Sequence, residues 1–555
     1  MTDATITRAA HRRRDRFVLF VVGLVLFGPG LGLRDPWPAD EPRFAQIARE
    51  MLSSGQWLIP HIGGHPYSDK PPVFFWAIAG FEAITGSPRL AFLLPSLFAA
   101  LATVLLTYDL GRRLWNQRVG MMAALLLAFT VQFTLQARVA QIDALLCFWT
   151  TLGLWGFLRH LLRGPDLPAL YLGFFAIAAG ILTKGVAFLP LIVLPIAALL
   201  RRQAGVELSR VPLRHLVGGF ILFGVVLLAW VGPMLWASMQ DPALAAYRDD
   251  LLLRQTVTRY ADAWGHREPF WYYLVQVIPL FWLPGSLFLP WLIPAWRRRL
   301  ARGDSRYLLL LGYVVTVVVF FSLSSGKRGL YVLPALPAFA LACAPLLPGL
   351  LRKKAVQLVV WSAVVLLGLG LLAGWLYLAW IDDALVQELA LRYRIQPWAP
   401  LSIMTVATLG LAAWLGPRRG YRALLMTLLV GWWVYGFWGA PMLDDVRSGR
   451  VLMRQVVDRL DPQAELGMVD WKEQFLYQAD RPIATFGYRR ADRVGEAAEA
   501  IEWMRARPGR WVLLPEERLA PCFEPRLATL VGHAHREQWY LVGPAAARTC
   551  GDANE

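Results

Sequence analysis

Residues 71–86 read PPVFFWAIAGFEAITG, and whether this stretch crosses a membrane decides the topology of everything after it. It sits in a chain of 555 residues that is 57% hydrophobic and holds 25 Trp, a composition that excludes a soluble globule. Apolar runs long enough to cross ~30 Å of hydrocarbon recur along the sequence. Thirteen spans are predicted, at 17–33, 90–110, 119–135, 144–160, 169–183, 186–200, 215–237, 270–296, 307–323, 329–350, 356–380, 398–416 and 421–440. The runs 169–183 and 186–200 are short and separated only by Lys184-Gly185. Five arginines (Arg8, Arg12, Arg13, Arg14, Arg16) precede the first run, and no clear small-residue cleavage site follows it. The expectation is a retained anchor rather than a removed signal peptide.

The short loops then set the orientation. With the N-terminus inside, the short inner segments carry 25 Lys and Arg against 6 in the short outer ones, which favours a cytoplasmic N-terminus. Counting 71–86 as a span would invert every later loop and put those arginines outside. It is therefore predicted as a helix lying along the outer membrane face, with a similar helix over 41–54. The net charge of +17 divides accordingly. Inner arginines anchor the topology, while outer cations need another reason. No nucleic-acid module is visible, so the basic balance points to a membrane surface and to phosphate.

The predicted organisation is a cytoplasmic basic segment at 1–16, an α-helical membrane domain at 17–440 and a soluble α/β domain at 441–555. Long outer loops span 34–89 and 238–269. In the tail, helix-like stretches (Val451–Leu460, Ala497–Arg507) alternate with short apolar strands (Leu466–Val469, Ile483–Phe486, Trp511–Leu514, Trp539–Val542). Cys522 and Cys550 both fall there, and an oxidising compartment leaves a disulfide between them open. Cys147 and Cys343 lie in spans.

Charged clusters stand out against this apolar background. Asp40-Glu41-Pro42-Arg43 follows the first span, and Asp69-Lys70-Pro71-Pro72 closes the same loop. Asp40 could simply cap a helix that opens at Glu41-Pro42, and Asp143 could cap the fourth span. Two carboxylates at the outer ends of different spans, near basic residues, favour a joint active site. The outer loops add Arg254, Arg259, and the run Ser325-Gly326-Lys327-Arg328-Gly329-Leu330-Tyr331. With Arg43 and Lys70, these guanidinium, ammonium and phenol groups can hold a phosphate by charge-assisted hydrogen bonds. Contact with lipid headgroups is the plainer role for each. No nucleotide-binding signature is visible, and a divalent metal cofactor stays open. His266 could hold a divalent metal with Asp69 or Glu82, though a lone histidine beside an aromatic belt is more often structural.

Taken in order, D-E-P-R (40–43), D-K-P-P-x-x-x-W (69–76), L-T-K-G (182–185), H-x-x-P-F-W-Y-Y (266–273) and G-K-x-x-x-Y-x-L-P (326–334) form a recognisable series. The series resembles the GT-C fold glycosyltransferases that use polyprenyl-phosphate sugars. Within that group it looks most like the bacterial 4-amino-4-deoxy-L-arabinose lipid A transferases, relatives of protein O-mannosyltransferases. The resemblance covers about residues 17–440. Asp69 stands where relatives often have Glu, and Gly326-Lys327-Arg328-Gly329 replaces a Gly-Lys-Leu-Pro pattern. It implies thirteen spans in the bacterial inner membrane, a periplasmic site, an undecaprenyl-phosphate-linked donor and a lipid A acceptor, in a monomer. It also implies that Asp40 and Asp143 are the functional carboxylates. Lys70, Tyr331 and Arg259 (Arg254 as substitute) would hold the carrier phosphate.

Chemistry constrains the mechanism too. The carrier phosphate leaves from the anomeric carbon, so cations must stabilise the charge growing on it. A lipid A phosphate is already anionic and needs no strong general base, unlike a protein hydroxyl. Direct displacement would invert the anomeric centre. Two other readings stand beside this one. The first is transfer of a different lipid-linked sugar to protein or to another glycan lipid. The second is a lipid-sugar flippase, disfavoured because the ionisable residues gather at the outer face rather than at mid-membrane.

Overall fold

The computed structural model describes residues 3–202, 206–252, 267–487, 492–520, 522–548 and 550. All thirteen predicted runs are helical over most of their length. Seven helices among the described residues are long and apolar enough to cross a membrane, or up to nine if each of two bent pairs is one span. The runs at 167–181, 185–200 and 329–343 form shorter apolar helices. Length and composition therefore support a multi-pass protein with fewer unambiguous crossings than thirteen. Leu213–Gln240 and Lys354–Trp380 bury few of their apolar side chains, as helices bordering lipid do.

Two predicted spans are not continuous. Gln117–Ala128 and Val131–Ala137 meet at 69°, and Tyr273–Phe281 and Gly285–Ala301 at 108°. Pro284 marks the second break, since proline removes a backbone donor, and at Gly285 a Cβ would lie 2.6 Å from the Phe339 ring. The breaks face each other. Val131 N–H donates to the Leu283 carbonyl at 2.9 Å, and the Trp282 indole N–H donates to Gln132 Oε1 at 2.9 Å. The Gln132 amide then donates to the Gly329 carbonyl at 2.6 Å. Each break thus satisfies backbone groups that lipid could not. Elsewhere, glycine lets helices approach closely: a Cβ on Gly156 would lie 2.3 Å from the Ala169 carbonyl oxygen and 3.0 Å from Gly173 Cα.

The 34–89 loop holds two helices, a first loop helix (Glu41–Ser54) and a second (Val73–Thr85), close to the predicted positions. The second has 13 residues, about 20 Å of rise, and is too short to cross. Phe44 joins the two helices, with its ring 5.6 Å from Phe74 and 5.5 Å from Phe75. Between them lies an unpredicted hairpin, β1 (His61–Ile62) and β2 (His65–Pro66), turned by Gly63 and Gly64 at φ +58° and +80°.

The tail builds a five-stranded mixed sheet from β3 (Glu465–Met468), β4 (Ile483–Thr485), β5 (Arg510–Pro515), β6 (Thr529–Ala534) and β7 (Glu537–Val542), ordered β4-β3-β5-β7-β6. β3 runs parallel to β4 and β5, and β7 runs antiparallel to β5 and β6. Four strands and the helices Arg450–Val457 and Arg493–Arg505 match expectation. β6 and the helix Glu473–Gln478 do not: β6 carries Gly532 and a register shift, and its hairpin turns through His535 and Arg536 at positive φ without a glycine. Cys522 and Cys550 are bonded, with Cα atoms 4.2 Å apart. The sheet unit does not have a core of its own on this side. Phe475, Trp539 and Leu452 bury into one cluster with Phe44, Phe74 and Phe75 of the loop helices.

Replacing Gly156 by Val should cost about 1–3 kcal/mol by overpacking. Thermal unfolding in detergent should show a clear drop in Tm, whereas Gly224→Val, where a Cβ meets nothing within 4 Å, should leave Tm unchanged.

Candidate active site

The site is built on a buried ion pair. Arg34 and Glu41 face each other with both side chains almost wholly out of solvent. Glu41 Oε1 accepts from Arg34 Nη2 at 2.7 Å and from the Ala140 N–H at 2.9 Å, and Oε2 accepts from the Trp37 N–H at 2.8 Å and from Arg34 Nη1. Burial alone would lower the Arg34 pKa, but the Glu41 carboxylate holds it above its ordinary value. Glu41 opens the first loop helix, and Ala140 lies just before the helix Ile142–Arg163. One carboxylate therefore fixes two elements, and each carries a candidate catalytic aspartate. Arg138 reinforces the junction by donating to the carbonyls of Leu26 (3.2 Å), Pro29 (2.5 Å) and Trp432 (2.9 Å). Burial and the Arg34 charge pull its pKa down to about 10, so it stays protonated at neutral pH.

Asp40 sits one residue before Glu41 and makes no side-chain capping bond to its helix. Its Oδ2 instead accepts from Gln141 Nε2 at 3.3 Å and lies 3.7 Å from Arg328 Nη1, while Oδ1 lies 3.9 Å from Arg43 Nη1. Asp143 is buried, and its Oδ1 accepts from Lys184 Nζ at 2.7 Å. The Lys184 ammonium lies 4.7 Å from the centre of the Tyr331 ring. The Val73 N–H reaches the Leu182 carbonyl at 3.4 Å, which joins the start of the second loop helix, three residues after Lys70, to the segment that carries Lys184. Lys70 Nζ donates to the Asp69 carbonyl at 2.8 Å.

Of the predicted residues, Asp40, Asp143, Arg43 and Tyr331 belong to this ion-paired constellation, and the Val73–Leu182 contact brings the segment of Lys70 up to its edge. Lys327 does not belong to it. Its side chain is buried, and its ammonium donates to the carbonyls of Glu268 and Ser324, each at 2.7 Å, so it closes a loop instead. The next residue, Arg328, takes the place beside Asp40. Glu82 is half-buried, its carboxyl pKa raised by burial against an opposing pull from Arg49. Arg254, Arg259 and His266 lie outside the described residues. Among the described residues no three His, Cys, Asp or Glu side chains gather to hold a metal. Gln141 was not foreseen, and Lys184 and Arg328 were quoted only within motifs and not singled out as site residues. Lys184 had a signal, as a lone ammonium wedged between two short apolar runs.

Gln141 links the two carboxylates, donating to Asp40 from a position two residues before the buried Asp143, and each carboxylate has cations beside it. Carboxylates so placed can orient hydroxyl or ammonium groups, and the cations can hold phosphate. The buried pair beneath them is the weak point. Glu41→Ala should cost about 3–5 kcal/mol, because it strands the Arg34 charge. The expected result is a large fall in Tm that the double variant Arg34→Met/Glu41→Leu partly restores.

Residues 69–230 match the family model described as dolichyl-phosphate-mannose-protein mannosyltransferase. An undecaprenyl phosphate-alpha-4-amino-4-deoxy-L-arabinose arabinosyl transferase of Pseudomonas fluorescens is 34% identical over 423 residues, 73% of each chain. The protein of the same name from Pseudomonas aeruginosa PAO1 is 31% identical over 470 residues, covering 81% of this chain and 80% of that one. In solved structures, ArnT from Cupriavidus metallidurans in the apo state superposes with a TM-score of 0.75 at 20% identity, over 96% of this chain and 99% of that one. Its undecaprenyl phosphate complex gives 0.76 over the same shares. At that identity the likeness shows a common fold.

Proposed function

The chain belongs to the undecaprenyl phosphate–4-amino-4-deoxy-L-arabinose arabinosyl transferase family, and we propose that it moves this sugar from undecaprenyl phosphate to a phosphate of lipid A. The observation that carries the reading is a pair of charged clusters, Asp40 with Arg43 and Arg328 and Asp143 with Lys184 and Tyr331, joined by the Gln141–Asp40 hydrogen bond. The loop charge asymmetry supports a cytoplasmic N-terminus, with this surface and the sheet unit on the periplasmic side of the inner membrane. Thirteen crossings, counting the short and bent helices, fit the same scheme, and a monomer suffices for it.

In this mechanism Lys184, Lys70 and Tyr331, with an arginine of the 254–259 segment, hold the carrier phosphate. An oxygen of the acceptor phosphate attacks the anomeric carbon as its bond to the carrier phosphate breaks, and undecaprenyl phosphate departs with the bonding electrons. The cations stabilise the charge that grows on it. Asp40 orients the sugar and pairs with its ammonium, and no strong base is needed for an anionic acceptor. Arg328, rather than Lys327, offers the acceptor phosphate a guanidinium. The family-model match at 69–230 favours a second reading, transfer to a protein hydroxyl, which the same assay tests.

Mass spectrometry of lipid A from cells with and without the protein should show an added pentosamine only with it, and none with Asp40→Asn. Masking phosphate with a cationic sugar should also weaken polymyxin binding. In a purified assay Lys184→Ala should lose about 100-fold in kcat. Label appearing on peptide and never on lipid A would sink the proposal.

A further inference from the structure

Resting on the reading above, we infer that Glu473, contributed by the C-terminal sheet unit, is a positioning residue for Asp40, acting through Arg43. Arg43 Nε donates to Glu473 Oε1 at 2.7 Å, with both side chains 16% exposed. The other end of the same guanidinium stands 3.9 Å from Asp40 Oδ1, beyond hydrogen-bond distance. Asp40 and Arg43 are three residues apart at the start of one helix, a spacing at which oppositely charged side chains close on each other. Glu473 competes for the guanidinium and holds it back. Asp40 keeps a nearby positive charge without being bonded by it, and its Oδ2 stays 3.3 Å from Gln141 Nε2 and 3.7 Å from Arg328 Nη1.

Glu473 can do this because it is held rigidly. It begins the helix Glu473–Gln478, where a carboxylate is favoured by the helix dipole. Phe475 packs on Trp539 with ring centres 4.7 Å apart, inside the core shared with Phe44 of the first loop helix. Arg49 donates to the Tyr477 carbonyl at 2.9 Å and lies over its ring at 4.1 Å. The hairpin end is tied as well, by Thr485 Oγ1 donating to the Gly63 carbonyl at 2.9 Å. The first loop helix is therefore clamped along its length by the sheet unit, and Arg43–Glu473 is a tether whose guanidinium also faces Asp40. On this account the C-terminal unit completes the active site rather than standing beside it.

The test uses the full-length protein in detergent, with undecaprenyl-phosphate-linked aminoarabinose and lipid A, and follows kcat, both KM values and Tm. Glu473→Gln should release Arg43 onto Asp40 and lower kcat by about 100-fold, the usual cost of misplacing a catalytic group by about 1 Å. The donor KM should stay unchanged, and Glu473→Asp, which keeps the charge, should recover most of the loss. The exchange Arg43→Glu/Glu473→Arg should rebuild the tether and restore Tm, yet remain slow because a carboxylate now adjoins Asp40. Two results would overturn the inference alone: wild-type kcat in Glu473→Gln, or an exchange variant that regains turnover together with Tm. A wild-type protein that transfers no pentosamine to lipid A would overturn the functional reading, and this inference with it.

Discussion

Everything at the candidate site depends on one buried charge pair. Arg34 and Glu41 are removed from water, and that desolvation is tolerable only because each oxygen of Glu41 is satisfied, by the guanidinium and by the backbone N–H groups of Trp37 and Ala140. The pair has no room to slide. It locks the start of the first loop helix to the loop ahead of Ile142, and so sets the separation of two aspartates more than a hundred residues apart in sequence. Around it, Asp35 binds Arg89 at 2.6 Å and Arg450 at 3.4 Å, and Asp444 accepts from the Asp35 N–H and the Trp37 indole at 2.9 Å each. A hydrophobic replacement could match the pair in stability. It could not match its directionality.

The same demand shapes the membrane part. In hydrocarbon every backbone group needs a partner, so a helix can break only where something answers the break. Here two breaks answer each other through Val131, Gln132, Trp282 and Leu283, and Gln132 extends the contact to Gly329, two residues before Tyr331. The loop that carries Arg328 and Tyr331 is thereby moored to the helix scaffold at one point, while Lys327 moors it to Glu268 at another. Lys327, which looks like a phosphate ligand from its neighbours, places its ammonium on two backbone carbonyls and so holds the loop that carries Arg328.

The elements set by long-range composition were legible in the sequence. Hydrophobic runs located the helices, charge counting demoted 71–86 to a loop helix, and short apolar stretches found four of five strands in the tail. Elements set by local exceptions were not. The bends at Thr130 and Pro284, the β6 strand interrupted by Gly532 and the turn through His535-Arg536 each depend on contacts that periodicity does not encode. The site divided the same way. Asp40 and Asp143 were visible as carboxylates out of place in an apolar chain, yet Asp40 also looked like a cap, and only the missing capping bond separates the two. Neither the choice of Arg328 over Lys327 nor the Arg43–Glu473 tether can be read from spacing, because the residues involved are adjacent in one case and 430 apart in the other.

The two halves of the surface suggest a division of labour. Asp143, Lys184 and Tyr331 form the side that would receive the carrier phosphate, and Asp40 with Arg43 and Arg328 forms the side that would receive sugar and acceptor. The most direct measurement is an experimental structure of this protein with undecaprenyl phosphate bound. The account predicts the phosphate within hydrogen-bond reach of Lys184, Lys70 or Tyr331, with the Asp40 carboxylate left open to the sugar. A phosphate seated elsewhere, with those side chains still paired only to one another, would contradict it.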